Sequence, residues 1–442
     1  MPTRTSRRAK ACTSPLRLTG LPQGAHALVI RAVAGRRGAI VSTRFSVDTV
    51  EPSLVISGGA SAWSQDATRH VAVVASDAVS GVAKVEVRTS TNAGRTWSAP
   101  AVGTSVDVTA EGQTLVEFRA TDAAGNRTAW TQQGAHGTVR LDRTAPAAPT
   151  VNAPASWTPT TSATASTTDP LSGVSAYEHE TSPVGADTWT DPADPGATYT
   201  PAVDGRIDVR FRAVDRAGNV SDWSTTTTLS RDASPPSAPT VTGGMLGWTT
   251  DASADLVGDG ATDDVSGIDA IVWEVSTNGG TTWTAPAPAD TAQGDPATIT
   301  REGDTQVRAR ARDLAGNLSD PSDVVHVMLD RTAPTTPTVA LDANAKTATG
   351  TGSADPLSGI ATYEYQVWDG DTGVPDPVNG PFTEGDVYTA SVFDGTYLIR
   401  FRAVDNAGNV GAWSPAPMSS AMRDTSSASV PDETPTPKRA PQ

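Results

Sequence analysis

Apolar and polar positions alternate over short runs of this chain, and nowhere recur at the 3.6-residue spacing of an amphipathic helix. The alternation is clearest in VEFRATD, VRFRAVD, VRARARD and IRFRAVD, each followed closely by the tripeptide AGN. A period of two buries one face of a strand, so Val209, Phe211 and Ala213 are predicted to point inward and Arg210 and Arg212 outward. Another alternating strand follows each Ser-Gly pair. Its inward positions hold Val85 and Val87, Tyr177 and His179, Ile271 and Trp273, or Tyr363 and Tyr365, with Glu178 and Glu180 outward. The two strands are predicted to be neighbours. Outward Glu then faces outward Arg, a pairing that contributes about 0.2–1 kcal/mol and mainly keeps an exposed sheet soluble.

These strands belong to a repeat. Asp-x-x-Ser-Gly recurs at Asp77, Asp169, Asp263 (with Asp264 also available) and Asp355. Ala-x-Asp-x-Ala-Gly-Asn recurs at Asp122, Asp215, Asp313 and Asp405, ending at Asn126, Asn219, Asn317 and Asn409. LDRTAP or a relative of it recurs at Asp48, Asp142, Asp232 and Asp330. The offsets are nearly constant and define a unit of roughly 90–98 residues, the size of a β-sandwich and longer than helical solenoid repeats. The predicted organisation is a partial repeat over 1–50, complete repeats over 51–143, 144–232, 233–331 and 332–424, and a tail over 425–442. That tail, rich in Pro, Ser and Thr, carries too little apolar surface to fold and has no LPxTG-type motif.

Composition narrows the partners. With 33 Lys and Arg against 49 Asp and Glu, the net charge of −16 repels nucleic-acid backbones and anionic membranes, leaving cations or neutral ligands. No window approaches the roughly 18–20 apolar residues of a membrane-spanning helix. The single cysteine, Cys12, excludes an internal disulfide framework and any multi-cysteine metal site. The first residues are basic but lack the apolar run of a signal peptide. Since residues 16–50 read as the second half of a repeat, the expectation is that the chain starts inside one. RAVAGRRGAI there replaces the motif that ends in AGN.

With Ser-Gly, AGN and DRTAP in register, residues 49–424 resemble the Ig-like or fibronectin-III-like repeats of actinobacterial and other bacterial secreted and surface proteins. The resemblance implies an all-β fold: a tandem array of Ig-like (fibronectin-III-like) antiparallel β-sandwiches in an extended rod. It also implies a non-enzymatic, monomeric, extracellular or cell-surface stalk or adhesive region with a protein or glycan ligand. The alternative is a carbohydrate-binding accessory region of a secreted hydrolase, with Trp130, Trp223 and Trp413 as stacking platforms. Trp63, Trp157, Trp248, Trp97, Trp189 and Trp283 stand at repeat-equivalent places and are expected to pack in the cores.

Candidate chemistry follows from the topology. In such a sandwich the Ser-Gly turn, the AGN turn and the incoming linker share one pole. Three acidic elements then converge, and oxygen ligands of this kind suit calcium, which takes 6–8 of them. The candidate ligands are Asp142, Asp169, Asp215 and Asn219 at one junction, and Asp330, Asp355, Asp405 and Asn409 at another. Calcium there would stiffen the array, as in cadherins. The competing reading is turn chemistry, in which Asp and Asn bond backbone N–H groups; no dense D-x-D-x-D loop is present. Ser90–Trp97 and Ser276–Trp283 fit S-x-N-x-G-x-T-W, which resembles the Asp-box hairpin of sialidase propellers. They lie two repeats apart, so a structural hairpin is expected. His26, His70, His136, His179 and His326 fall at unrelated places with no HExxH, G-x-S-x-G or Cys/His partner, and His179 reads as a satisfied core histidine. No catalytic residue is identified.

Overall fold

The computed structural model describes residues 11–32, 38–131, 137–192, 196–284, 288–342, 346–369, 383–389, 397–415 and 418–419. The tail over 425–442 and His136 lie outside them. The described residues contain strands and turns and no helix, and so no helix long and apolar enough to cross a membrane. The chain forms two compact units. One comprises Met1–Ala155, Thr161–Pro201 and Arg206–Leu229, and the other Ser156–Thr160, Ala202–Gly205 and Ser230–Gln442.

The partial repeat contributes an antiparallel hairpin of β1 (Gly24–Arg31) and β2 (Ile40–Val47). The first complete repeat runs through β3 (Ser53–Ser57), β4 (Trp63–Ser64), β5 (Arg69–Ser76), β6 (Val82–Ser90), β7 (Ala101–Val102), β8 (Ser105–Val108), β9 (Gly112–Asp122) and β10 (Thr138–Leu141). One sheet has the order β3-β5-β8 and the other β4-β10-β9-β6-β7. The second repeat places β11 (Thr150–Asn152), β12 (Ala163–Ser166) and β14 (Thr198–Tyr199) in one sheet. Its other sheet is β13 (Val174–Pro183), β15 (Gly205–Asp215) and β16 (Thr227–Arg231).

The third repeat has the same plan, with β17 (Thr240–Thr242), β18 (Ala254–Asp259) and β20 (Pro296–Ile299) in one sheet. The other is β19 (Ile268–Ser276), β21 (Gly303–Asp313) and β22 (Val325–Leu329). The fourth pairs β23 (Thr338–Asp342), β24 (Thr347–Thr351) and β27 (Val387–Thr389). Its second sheet has the order β26-β25-β28-β29, with β25 (Ile360–Asp369), β26 (Thr383–Glu384), β28 (Tyr397–Asp405) and β29 (Met418–Ser419).

Each repeat encloses its own core. The strand after the Ser-Gly turn and the strand before AGN are adjacent and antiparallel in all four, so the large inward rings meet across one register position. Val87 stands opposite Phe118, His179 opposite Phe211, Trp273 opposite Ala309 and Tyr365 opposite Phe401. In the third repeat the large ring has changed strands, and Ala309 compensates for Trp273. Small residues on the facing sheet make room. A Cβ on Gly258 would lie 2.8 Å from Ile271 Cγ2, and one on Gly350 would lie 2.5 Å from Phe401 Cδ1.

His179 does pack in the core, against Tyr199 at 5.0 Å and Phe211 at 5.7 Å. It is not satisfied there: Nδ1 is buried without a partner, and burial lowers the pKa of the ring.

Candidate functional site

At each pole the local sequence folds onto its own aspartates. The AGN turn closes because Asp215 Oδ1 accepts from the N–H groups of Ala217 and Asn219, both at 2.8 Å, with Gly218 at φ 94° allowing the reversal. The Ser-Gly turn closes in the same manner on Asp169 Oδ1, which accepts from Leu171 and Gly173 at 3.0 and 2.8 Å. The linker aspartate Asp142 is fully buried and accepts the N–H of Ser172 at 2.9 Å. Three carboxylates are thereby gathered, with one oxygen from each of Asp142, Asp169 and Asp215 lying within 4.8 Å of the others.

Asp330, Asp355 and Asp405 form the corresponding group in the second unit. The same spacing brings together Asp48, Asp77 and Asp122, and Asp232, Asp263 and Asp313. These two groups were not among the candidate ligands, although their motifs are in identical register. Asn219 and Asn409, which were, stand beside the carboxylates as donors. Asn219 Nδ2 donates to Asp215 Oδ2 at 2.7 Å and to the Asp142 carbonyl at 3.0 Å, and Asn409 does likewise to Asp405 and Asp330. Their amides clamp the linker backbone to the turn.

Asp77 and Asp122 at the first pole are favoured as anions. N–H donation from Gly81, against the opposing effect of burial and with help from Val79 and Ser80, sets Asp77 below its ordinary pKa. Burial pushes Asp122 upward, but donation from the Asn126 side chain and from the N–H groups of Asn126, Gly125 and Ala124 outweighs it and leaves the pKa lowered. Among the described residues no Lys or Arg forms an ion pair with any of the twelve clustered aspartates.

The linker residues after the buried aspartate reach back to the preceding repeat. Arg143 N and Thr144 Oγ1 donate to Glu111 at 2.8 and 3.0 Å, and the Arg143 guanidinium donates to the carbonyls of Asp66 and Thr109. In the second unit Arg331 N and Thr332 Oγ1 donate to Glu302 at 3.1 and 3.3 Å. Asp204 receives Ala233 N and Ser234 Oγ in the same way. Sequence reading missed these acceptors. Their signal is an acidic residue immediately before a glycine that opens the strand: Glu111-Gly112, Asp204-Gly205 and Glu302-Gly303.

The outer face of the strands before AGN differs from expectation. Glu and Arg do face one another, as in Glu86 with Arg119, Glu178 with Arg212 and Glu364 with Arg402. This face is not an open solubilising sheet, however, since Glu86, Glu117, Glu180 and Glu364 are all buried. What covers them is a layer of guanidinium and indole. Arg88 lies 4.4 Å from the Trp97 ring centre and 4.3 Å from that of Trp130, and Arg119 covers Trp130 at 4.2 Å. Arg210 lies between Trp189 and Trp223, and Arg400 between Trp368 and Trp413. In the third repeat Pro321 stands at the second indole position, and Arg308 stacks on Trp283.

The expectation that Trp97, Trp189 and Trp283 pack in the cores is therefore corrected. They are half-buried on the outer face, where an indole desolvates the arginine beneath it. Trp63, Trp157 and Trp248 are likewise half-buried and absent from the buried cores. Trp130, Trp223 and Trp413 are half-buried too, and each has two guanidinium groups within 5.2 Å of its ring centre.

Within this layer the Arg119 guanidinium, then Lys84 and Arg127, holds Glu86 at a pKa of about 2 against an ordinary 4.5. A depressed carboxylate adds stability above its ordinary pKa that is lost as pH falls through the folded value. The first repeat is accordingly expected to lose melting temperature between pH 4.5 and about 2. Glu86→Gln should flatten that part of a melting-temperature profile measured by differential scanning calorimetry.

The S-x-N-x-G-x-T-W segments are hairpins. Asn92 Oδ1 accepts from Thr96 N at 3.0 Å and Asn278 Oδ1 from Thr282 N at 3.0 Å, while the tryptophan turns away to cover arginine.

Residues 341–418 match the family model for a bacterial Ig-like domain. The chain is 32% identical over 318 residues to Exoglucanase B of Cellulomonas fimi, an alignment covering 63% of this chain and 26% of that protein. It thus spans about a quarter of the length of the curated relative it matches. Among solved structures, a tetra-tandem repeat in the extending region of a large adhesion protein is 21% identical. That match covers 83% of this chain and 99% of the other, at a TM-score of 0.27. A bacterial ice-binding adhesin is 14% identical, covering 64% and 98%, at 0.29. At such TM-scores these likenesses add nothing to the strand order described above.

Proposed function

We propose that this chain is a non-catalytic stalk or adhesive region of an extracellular or cell-surface protein, whose repeats are locked at their poles by a bound divalent cation. The gathering of three carboxylates within 4.8 Å, with no Lys or Arg ion-paired to them among the described residues, carries the reading. Like charges at that separation repel unless a counter-ion is present, and an all-oxygen set fits a hard cation such as calcium. The Asp142 group would hold one such ion and the Asp330 group another, each bridging a linker and the two turns of the following repeat. The protein works as a monomer toward a protein or glycan ligand, and binds neither nucleic acid nor bilayer.

The test is a thermal melt of the full chain with millimolar calcium and then with excess chelator. An ion that prefers the folded state stabilises it by about 2.7 kcal/mol per site at a hundredfold excess over Kd. A reversible, calcium-dependent rise in melting temperature is expected. Unchanged melting would reduce the poles to turn chemistry.

A second reading is favoured by the 32% identity to Exoglucanase B: the array is an accessory region beside a polysaccharide hydrolase. Depletion of the full chain from solution by insoluble cellulose would support that assignment. Such binding would use the half-buried indoles of Trp130, Trp223 and Trp413, or the loops and sheet edges.

A further inference from the structure

One register position on the outer face separates the fourth repeat from the other three. We propose that Arg400, between the indoles of Trp368 and Trp413, is a binding site for a carboxylate-bearing sugar, through which the fourth repeat holds an acidic polysaccharide. The site rests on the adhesive reading above for its ligand, and on none of the cation chemistry at the poles.

In the first three repeats this position sets an arginine opposite a glutamate: Arg88 with Glu117, Arg210 with Glu180 and Arg308 with Glu274. Each pair is hydrogen-bonded, and Glu117 and Glu180 are buried. In the fourth repeat Arg400 stands opposite Gln366. The geometry is unchanged. Arg400 Nε and Nη2 donate to Gln366 Oε1 at 2.9 and 2.6 Å, as Arg88 Nε and Nη2 donate to Glu117 Oε2 at 2.9 and 2.6 Å. Only the charge of the acceptor differs. Glu364, two positions earlier on β25, accepts from Arg402, and among the described residues no carboxylate pairs with Arg400.

The surroundings remain those of a paired arginine. The ring centres of Trp368 and Trp413 lie 4.5 and 4.7 Å from the guanidinium, and Arg400, Gln366 and both indoles are half-buried. Burial, and after it the charge of Arg402, draw the pKa of Arg400 below that of an ordinary arginine, although the group stays charged at neutral pH. A desolvated cation beside a neutral acceptor lacks the compensation that a carboxylate gives its counterparts. Two indoles attract it through their ring quadrupoles but bring no counter-charge.

A carboxylate from outside the chain supplies that charge. Guanidinium matches carboxylate in a planar, forked geometry, and Arg400 Nη1 donates to no acceptor among the described residues. The ligand class follows from what flanks the cation. Partly exposed indoles offer apolar surface to the C–H groups of a sugar ring, whereas an acidic peptide docking by strand addition needs a free sheet edge. This sheet is bordered by β26 on one side and β29 on the other. A uronate, with its carboxylate on a pyranose ring, combines both features.

Calorimetric titration of tetragalacturonate into the full chain, in chelator so that no cation bridges ligand and protein, tests this. One site is expected, with no binding of an uncharged cello-oligosaccharide of the same length. Arg400→Gln should abolish uronate binding. Gln366→Glu gives Arg400 the partner that the other repeats have, and should weaken binding by at least ~10-fold while the melting temperature shows the repeat still folded. Equal binding of the neutral and acidic oligosaccharides, or unchanged affinity in the Gln366→Glu chain, overturns the site. Binding of a polyglutamate peptide in place of the uronate overturns the ligand class. No binding of any probe overturns the proposal and leaves the calcium-locked stalk to its own melting test.

Discussion

Trp273→Ala should lower the stability of the third repeat by about 3–5 kcal/mol, the usual loss when a large aromatic side chain is removed from a packed core. Trp273 is fully buried, packs among Leu256, Ile271, Val307 and Leu329, and donates Nε1–H to Thr291 Oγ1 at 3.1 Å. The site cannot collapse around the gap from the facing strand, because the residue opposite is already Ala309. A domain of this size has only about 5–15 kcal/mol in hand, so the third repeat should come close to unfolding at moderate temperature. The damage should stay local, since the other repeats have separate cores. Hydrogen exchange resolved by peptide is the measurement: protection should be lost over residues 254–329 and retained around Phe118 and Phe211. Uniform loss along the chain would show that the repeats do not fold independently.

Asp215→Ala should cost the second repeat about 3–5 kcal/mol even in calcium-free buffer, because buried donors left without an acceptor cost about 1–3 kcal/mol each. Three donors lose their partner at once: the N–H groups of Ala217 and Asn219, and Asn219 Nδ2. Freed from Asp215, Asn219 also loses the orientation that holds the Asp142 carbonyl at 3.0 Å. Chemical denaturation followed by tryptophan fluorescence, in chelator, reads the effect. An unchanged midpoint would mean that Asp215 has no structural duty and serves an ion alone. In calcium the loss should be larger, as one of three anionic ligands goes with it.

Much of this architecture is legible one residue at a time. Alternation of Val209, Phe211 and Ala213 with Arg210 and Arg212 specifies a strand with one buried face, since strand geometry turns successive side chains to opposite sides. The repetition of Asp169 with Asp215 and Asp142 at constant offset specifies that what happens at one pole happens at the next, and the pole did gather all three. Periodicity, however, says only which face a residue takes, not what covers that face. Glu180 and Arg210 read as an exposed pair, yet Glu180 is buried, because Trp189 and Trp223 come from two other segments and fold over Arg210.

The same gap explains why six repeat-equivalent tryptophans read as core residues while the fully buried one is Trp273, which has no tryptophan equivalent in the other repeats. It also explains Asn219. Sequence marks it as an oxygen-bearing neighbour of two carboxylates, whereas the turn presents its nitrogen, since the Asp142 carbonyl and Asp215 Oδ2 both need a donor. By itself, then, the sequence determined the strands, the repeat and the meeting of the aspartates, because those follow from period and spacing along one chain. Only the tertiary structure decided which carboxylate oxygens are buried without a donor, which indoles shield arginine and which linker residues reach back to Glu111 and Glu302. Burial and hydrogen bonding at those places depend on groups 9 to 42 residues away along the chain, as Trp97 and Trp130 are from Arg88.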